Sequence, residues 1–415
     1  MGQTADLTDR TVILGAGLAG LRAAYELRKR GQPYRLIEGS NRIGGRARTL
    51  EWLTPAGQIG ELGFEWFSQD QTVFWDLAKE LKLEIVEVRN QRANLFLSSR
   101  GGVVPLPETE LRKIRDLARR NENLPSERSR LNLQRTPWRD DFVEAPPQSA
   151  QDWATKLSLD SAWLDLVRAW SHFSFGADPS QVHAIAFAQS FLFAESALDP
   201  WTSSRFKFRG GSSGLAGAML DRVMGVIPGD RFLMGHNLTR IEKLNDGYEL
   251  TFETAEGRRR FKARDVICTL PWSCLKNIDG FESFEGADVI RNASVSAQAR
   301  GLLSFRERFW RRSWDQGRVL GSPIVWESTY RSQAWLDNSW GILSLTWSSA
   351  AAQGAGPHLI KKWMDGIQAA EKRSDLPLIE THLQDWTTHR WSQGARAFPD
   401  LKLSARYFDQ PQGSW

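Results

Sequence analysis

Residues 11–20 read TVILGAGLAG, and eighteen residues after the last glycine of that run stands Glu38, closing a second apolar stretch, Tyr34 to Ile37. Thr11 to Leu14 reads as a strand that runs into Gly15, Gly17 and Gly20. Leu21, Ala24 and Leu27 then continue an apolar stripe at helical spacing, and Gly31 closes the helix. Strand, tight turn, helix and a second strand ending in an acid make up the dinucleotide-binding unit of a Rossmann-type fold. Gly15 permits the turn, Gly17 lets the main chain approach a pyrophosphate, and Gly20 allows close packing of helix on strand. Ala16, Leu18 and Ala19 belong to the same turn, whose helix N-terminus offers free N–H groups and the positive end of a dipole to phosphate. A carboxylate at Glu38, followed by Gly39, can accept both hydroxyls of a ribose. That favours FAD or NAD over a 2′-phosphorylated dinucleotide.

The chain has 415 residues, enough for two or three domains, with 41% hydrophobic and 25% charged residues, as in an ordinary folded enzyme. Its two cysteines, Cys268 and Cys274, fit neither a redox pair nor a zinc knuckle, and its six histidines form no metal-binding pattern, so no metal is expected. No secretory leader and no membrane-spanning run is visible, and a cytoplasmic protein is expected. The net charge of +5 is concentrated between Arg112 and Arg139, where nine Lys and Arg face three Asp and Glu. Without interleaved aromatic residues this stretch reads as a solvated helix and loop rather than a nucleic-acid site or membrane-docking surface.

Further along, Arg42, Gly44, Gly45, Arg46 and Arg48 form a loop-like cluster, and Gly57 to Phe67 reads GQIGELGFEWF. Helices are predicted over Thr72–Leu83, Leu111–Arg120, Ala162–Trp170, Pro179–Phe193 (capped by Asp178) and Leu359–Glu371. Prolines from Asn121 to Ser149 mark an insertion. From Phe206 the pattern returns to that of the N-terminal unit: a glycine turn and helix over 208–220, short strands from Phe232 to Leu270 with Asp246-Gly247 as a hairpin turn, and Val266 to Leu270 as a buried parallel strand. Alternation over 299–305 and 340–347 predicts a half-buried antiparallel sheet. The fold class is therefore α/β: a Rossmann-type domain of residues 1–75, 205–272 and 386–415, interleaved with an α+β domain of residues 76–204 and 273–385 that carries a mostly antiparallel sheet.

The pairing of the glycine fingerprint with IGGRART, Ile43 to Thr49, resembles the flavin-containing amine oxidases, a group with monoamine, polyamine and L-amino-acid oxidases and, more distantly, protoporphyrinogen oxidase and carotenoid desaturases. The resemblance implies non-covalent FAD, with Gly44, Gly45 and Arg46 at the pyrophosphate and flavin, and Leu62, Gly63 and Phe64 at the edge of the ring. It also implies Leu238 at the adenine through its backbone, and hydride transfer from a small-molecule amine to the flavin. Nine residues before Phe309-Trp310, many oxidases carry a lysine that assists reaction with oxygen; Arg300 stands there, which brings a desaturase-like enzyme with another acceptor into consideration. Trp391 resembles a tryptophan placed beside the flavin. The family's closing glycine and glutamate turn and final helix are not recognisable before Trp415, so a flavin-binding protein without turnover is the competing expectation.

Overall fold

A computed structural model describes residues 4–88 (save 68 and 70), 95–99, 102–105, 148–156, 161–187 (save 185), 205–224, 231–283, 287–312, 318–320, 324–328, 339–348 and 356–398. The expected helix over Leu111–Arg120, the basic stretch, most of the proline-rich insertion and the C-terminal residues 399–415 lie outside them.

Thr11–Leu14 and Tyr34–Ile37 are parallel neighbours in a four-stranded parallel sheet, flanked by Phe232–Leu233 and by Val266–Cys268. Strands this apolar are buried because a parallel sheet is covered on both faces. Here the helices Leu18–Lys29 and Gly211–Met224 pack Leu21, Ala24, Leu215, Ala216, Met219 and Val223 over one face. The Tyr34 hydroxyl ties the sheet to that layer by donating to the Val223 carbonyl at 2.7 Å. Val266–Cys268, expected to be buried, is half-buried and lies at the edge of the sheet. The opposite face meets a second sheet, in which Asn237–Leu244, Gly247–Thr254 and Gly257–Ala263 form an antiparallel meander joined by parallel Thr4–Asp6. Asp246-Gly247 makes the hairpin turn read from the sequence, with Gly247 at φ +100°.

A seven-stranded sheet carries Gln298–Phe305 between Leu378–Asp385 and Gly341–Ser348, all antiparallel. The alternation had suggested one wet face, yet seven of the eight residues of Gln298–Phe305 are buried. The reason is the helix Gly356–Glu371, whose Trp363 and Ile367 close over Ala299, Leu303, Leu343 and Leu345. Gly301 leaves room for the Trp363 ring directly on the strand.

Two helix boundaries differ from expectation. Thr72–Leu81 stops short of Leu83 because Lys82 takes a left-handed conformation, φ +57°, and returns the chain. Asp178 does not cap a helix at Pro179. Its carboxylate accepts from the Ser180 N–H (3.0 Å) and hydroxyl (2.6 Å), closing a turn over 179–181, so helical residues begin only at Ala184. Among the described residues no helix is long and apolar enough to cross a membrane.

Candidate functional site

The end of the parallel sheet opens into a cavity of about 450 Å³. Its floor is the glycine turn: Gly15, Gly17, Leu18 and Ala19 all line it, and the helix Leu18–Lys29 starts at Gly17 without a side-chain cap. First-turn N–H groups left free this way are what an anionic ligand requires. Ala16 and Gly20 do not line the cavity. Ala16 is buried, and a Cβ on Gly20 would overlap the Gly15 carbonyl oxygen, so both serve the turn itself.

The second glycine cluster forms the facing wall. Gly44 donates from its N–H to the Ala16 carbonyl (2.8 Å), and Gly17 and Gly44 pair as a parallel bridge. Gly45 sits at φ +58° with its α-carbon against Gly17: a Cβ there would come within 3.1 Å of the Gly17 α-carbon. A bare slot between two backbones is thus built from residues that cannot be enlarged without closing it. Gly44, Gly45 and Arg46 all line the cavity.

Glu38 lines the other end. One carboxylate oxygen accepts from the Ala16 N–H (2.7 Å) and the other from the Ser40 N–H (2.8 Å), which fixes the side chain at the strand end while leaving each oxygen a further lone pair. Gly39 and Leu238 stand beside it, the latter where the register of Asn237–Leu244 against Gly247–Thr254 slips between Leu238 and Arg240. Trp391 is here too. The resemblance implies a place beside the flavin for it; in the structure its indole backs Gly39, whose missing Cβ (2.8 Å from the indole nitrogen if it were present) makes the space. The Trp391 Nε1 and His236 Nε2, both on side chains of cavity-lining residues, are buried with no hydrogen-bond partner among the described residues. A glycine slot beside a carboxylate with spare lone pairs fits a ligand that carries phosphate and hydroxyl groups.

A second chamber of about 360 Å³ adjoins the first, and Arg46 and Phe64 line both. Gly63, Glu65, Trp66, Phe173, Arg300, Trp386 and Arg396 are among its walls. Leu62 faces away from both spaces, into a core cluster with Leu53, Leu302 and Ile342, while its carbonyl accepts from the Trp386 indole at 2.8 Å. Leu62 was expected at the ring edge; Trp386, which the sequence did not single out among nineteen tryptophans, stands at the chamber instead. Arg46 donates to the Ala395 carbonyl at 2.5 Å and is otherwise open to both spaces.

Arg300 is held on three sides. It donates to the Gly63 carbonyl (3.1 Å), to the Ser344 hydroxyl (3.1 Å) and to the Glu65 carboxylate. Behind Glu65 lies Lys207, 3.7 Å away and almost fully buried. Burial pulls the Lys207 pKa down, opposed by Glu65 and Glu61. Glu61 in turn accepts from the Ser212 N–H (2.8 Å) and hydroxyl (2.6 Å) at the start of the helix Gly211–Met224, and burial pushes its pKa up. The segment Gly60 to Trp66 is therefore pinned at both ends of its charge. Nothing in the sequence pattern marked Lys207, and Glu65 was visible only as a letter of the GELGFEWF run.

Residues 18–414 match the model of the family described as flavin containing amine oxidoreductase. The chain belongs to that family. Over 421 aligned residues, covering 93% of this chain and 86% of the relative, it is 23% identical to the flavin-dependent L-tryptophan oxidase of Lentzea aerocolonigenes. Among solved structures it is similar to a putrescine oxidase bound to putrescine (TM-score 0.73, 21% identity, 98% of this chain and 91% of that chain). It is likewise similar to the cyclohexylamine oxidase of Brevibacterium oxydans (TM-score 0.74, 16% identity, 98% and 92%). The family is one of oxidoreductases that carry a flavin, and the α/β architecture with its mostly antiparallel second sheet is the one shared with these structures. Among the described residues no cluster of His, Cys, Asp and Glu could hold a metal ion.

Proposed function

We propose that this flavin-family oxidoreductase binds FAD non-covalently in the first cavity and accepts a small amine donor in the second chamber. The observation that carries the reading is the junction: one cavity is walled by both glycine motifs and Glu38, and it opens across Arg46 and Phe64 into a chamber faced by Trp66, Phe173 and Trp386. In this reading Gly17, Gly44, Gly45 and Arg46 hold the diphosphate, Glu38 the ribose, and Leu238 the adenine. Phe64 stands at the ring where the two spaces meet, with Gly63 next to it on the wall of the second chamber. The relatives' substrates, an aromatic amino acid, a diamine and a cyclic amine, are all small amines, which supports the donor class.

The flavin supplies hydride acceptance when bound, so the protein has to orient the donor and keep water away. A chamber that excludes water and is already lined by arginines disfavours an ammonium and so favours the neutral amine whose carbon gives up hydride. Arg300, a permanently charged planar group, holds the Gly63–Glu65 wall and takes no part in proton transfer. Cys274, in the first cavity, is pushed up to about 11 by burial and stays a thiol at neutral pH, which supports a flavin held without a covalent link. The division into residues 1–75, 205–272 and 386–415 around the flavin and 76–204 and 273–385 around the donor is part of the same proposal.

The test is direct. Purified protein reconstituted with FAD should show flavin absorbance, release the flavin on acid precipitation, and bleach under anaerobic conditions with a primary amine. Protein that binds no FAD at micromolar concentration refutes the proposal, and bound flavin that no amine bleaches removes the donor half of it.

A further inference from the structure

Lys207 is the one buried lysine among the described residues, and nothing in the proposed reaction uses it. The strand Arg205–Phe208 carries it there. Side chains alternate across a strand, so Phe206 and Phe208 enter the aromatic cluster of Phe67, Phe74 and Trp75 while Lys207 points the other way. Phe67 and Phe206 exchange both main-chain hydrogen bonds, at 2.9 Å each, as an antiparallel bridge. That bridge brings Lys207 opposite Trp66, with its Nζ 5.2 Å from the centre of the ring.

There the ammonium stands among buried carboxylates. It lies 3.7 Å from Glu65 Oε1, an oxygen with no hydrogen-bond partner among the described residues, and the charge of Glu61 also acts on it. The other Glu65 oxygen accepts from Arg300. Signs therefore alternate along a row of Arg300, Glu65, Lys207 and Glu61, which ends where Glu61 accepts from Ser212 at the start of the helix Gly211–Met224. Burying such a row does not by itself stabilise a fold, since apolar side chains of similar volume often serve as well. What it does is fix geometry. Without Lys207 the charges of Glu61 and Glu65 would act on each other unscreened, and one carboxylate would take up a proton or swing away. Of Arg300, Glu65 and Lys207, only Arg300 is open to a ligand, with 16% of its side chain exposed against 1% and 3%. Any effect of Lys207 on the chamber has to pass through Glu65 to Arg300.

We propose that Lys207 is a positioning residue, which holds Glu65 from behind and thereby fixes the Arg300 guanidinium against the Gly63 carbonyl, on the wall next to Phe64. This rests on the reading that flavin lies in the first cavity and the donor enters the second chamber. Arg300 held this way is a permanent cation at a set place on the wall that adjoins the flavin site, and a fixed positive charge favours the reduced, more negative flavin.

The test uses the FAD-loaded full chain. The flavin midpoint potential, read against a reference dye during dithionite titration, needs no donor. Lys207→Met should lower it by at least about 30 mV, a tenfold shift of the two-electron equilibrium towards oxidised flavin. In an Arg300→Met background the same substitution should shift that equilibrium by less than about twofold, because the charge through which Lys207 acts is gone. An equal shift in both backgrounds would mean that Lys207 acts on its own account, which overturns the proposal. So does a Lys207→Met protein with a lower urea midpoint and the wild-type potential, the result of a merely structural role. Where Lys207→Met does not load FAD, Lys207→Gln, which keeps a donor towards Glu65 without the charge, carries the same comparison.

Anaerobic reduction by phenethylamine separates this inference from the one beneath it. Lys207→Met should lower the limiting rate at least about tenfold and leave the apparent Kd within about threefold, since orientation rather than uniform binding is lost. An unchanged limiting rate overturns the proposal as well. Wild type that phenethylamine does not bleach removes the donor reading, and the potentials alone then decide for or against Lys207. Wild type that phenethylamine bleaches, with a potential unmoved by Lys207→Met, keeps the donor reading and refutes this one. Wild type that holds no FAD overturns both.

Discussion

Replacing Glu38 by alanine should damage the protein twice, once in its fold and once in its cofactor site. The carboxylate accepts main-chain hydrogen bonds from Ala16 at 2.7 Å and Ser40 at 2.8 Å, and the side chain is only 8% exposed. Hydrogen bonds to a charged group contribute about 1.5–3 kcal/mol each, and an N–H left buried without a partner costs about 1–3 kcal/mol. Water entering the cavity recovers part of this, so a loss of about 2–4 kcal/mol is expected for the flavin-free protein. Because Ala16 belongs to the glycine turn, the same change loosens the wall against which Gly44 is bonded, and on the proposed reading it removes the acceptor of the ribose. Urea unfolding of flavin-free wild type and E38A measures the first effect, and equilibrium dialysis with FAD the second, where a rise of at least about tenfold in Kd is expected. E38Q, which keeps one acceptor oxygen and turns the other into a donor, should fall between the two. An E38A protein that unfolds at the wild-type urea concentration and retains FAD would refute the reasoning about this strand end.

Gly45→Ala forces a left-handed φ on a side chain, costing about 1–2 kcal/mol, and puts a Cβ 3.1 Å from the Gly17 α-carbon. FAD affinity should drop by about tenfold or more while the protein still folds, as read by dialysis and circular dichroism; unchanged affinity would mean the slot is not the diphosphate site. Gly301→Ala would drive a methyl group into the fully buried Trp363 ring, and urea unfolding should show about 1–3 kcal/mol of destabilisation. His183 is buried and its pKa lies below the ordinary 6.5, so the unfolded chain binds the proton more readily. Stability is then lost as pH falls from about 6.5 towards the folded pKa, with a slope of at most about 1.4 kcal/mol per pH unit from this group. His183→Gln should flatten the dependence of the urea midpoint between pH 6.5 and 5.5, and an unaltered slope counts against the assignment.

The parallel sheet was legible because its signals are local: an apolar run, glycines at fixed offsets and an acid at the next strand end all fall within residues 11–38. The hairpin at Asp246-Gly247 was readable for the same reason. What could not be read depends on partners distant in the chain. Gln298–Phe305 alternates like a half-wet strand, yet Trp363, sixty residues on, covers its outer face. Trp391 and Trp386 look equivalent in sequence; the first is drawn to the missing Cβ of Gly39 and the second is anchored by the Leu62 carbonyl. Lys207 acquires its meaning only when strand Arg205–Phe208 carries it beneath Glu65. Asp178 shows that a capping residue and a proline do not force a helix when a nearer serine offers the carboxylate a turn.

The contact between the two glycine segments is made by Gly44 N–H, Ala16 carbonyl and the bridge from Gly17, with no side chain taking part. A clasp of that sort is indifferent to which amino acids surround it, so long as nothing grows into the gap. The rest of the wall is then free to drift, and chains sharing as little as 16% of their residues can still superimpose over nearly their whole length. On the proposed reading, preference for one donor over another can be rewritten in the adjoining chamber without disturbing the hold on the nucleotide.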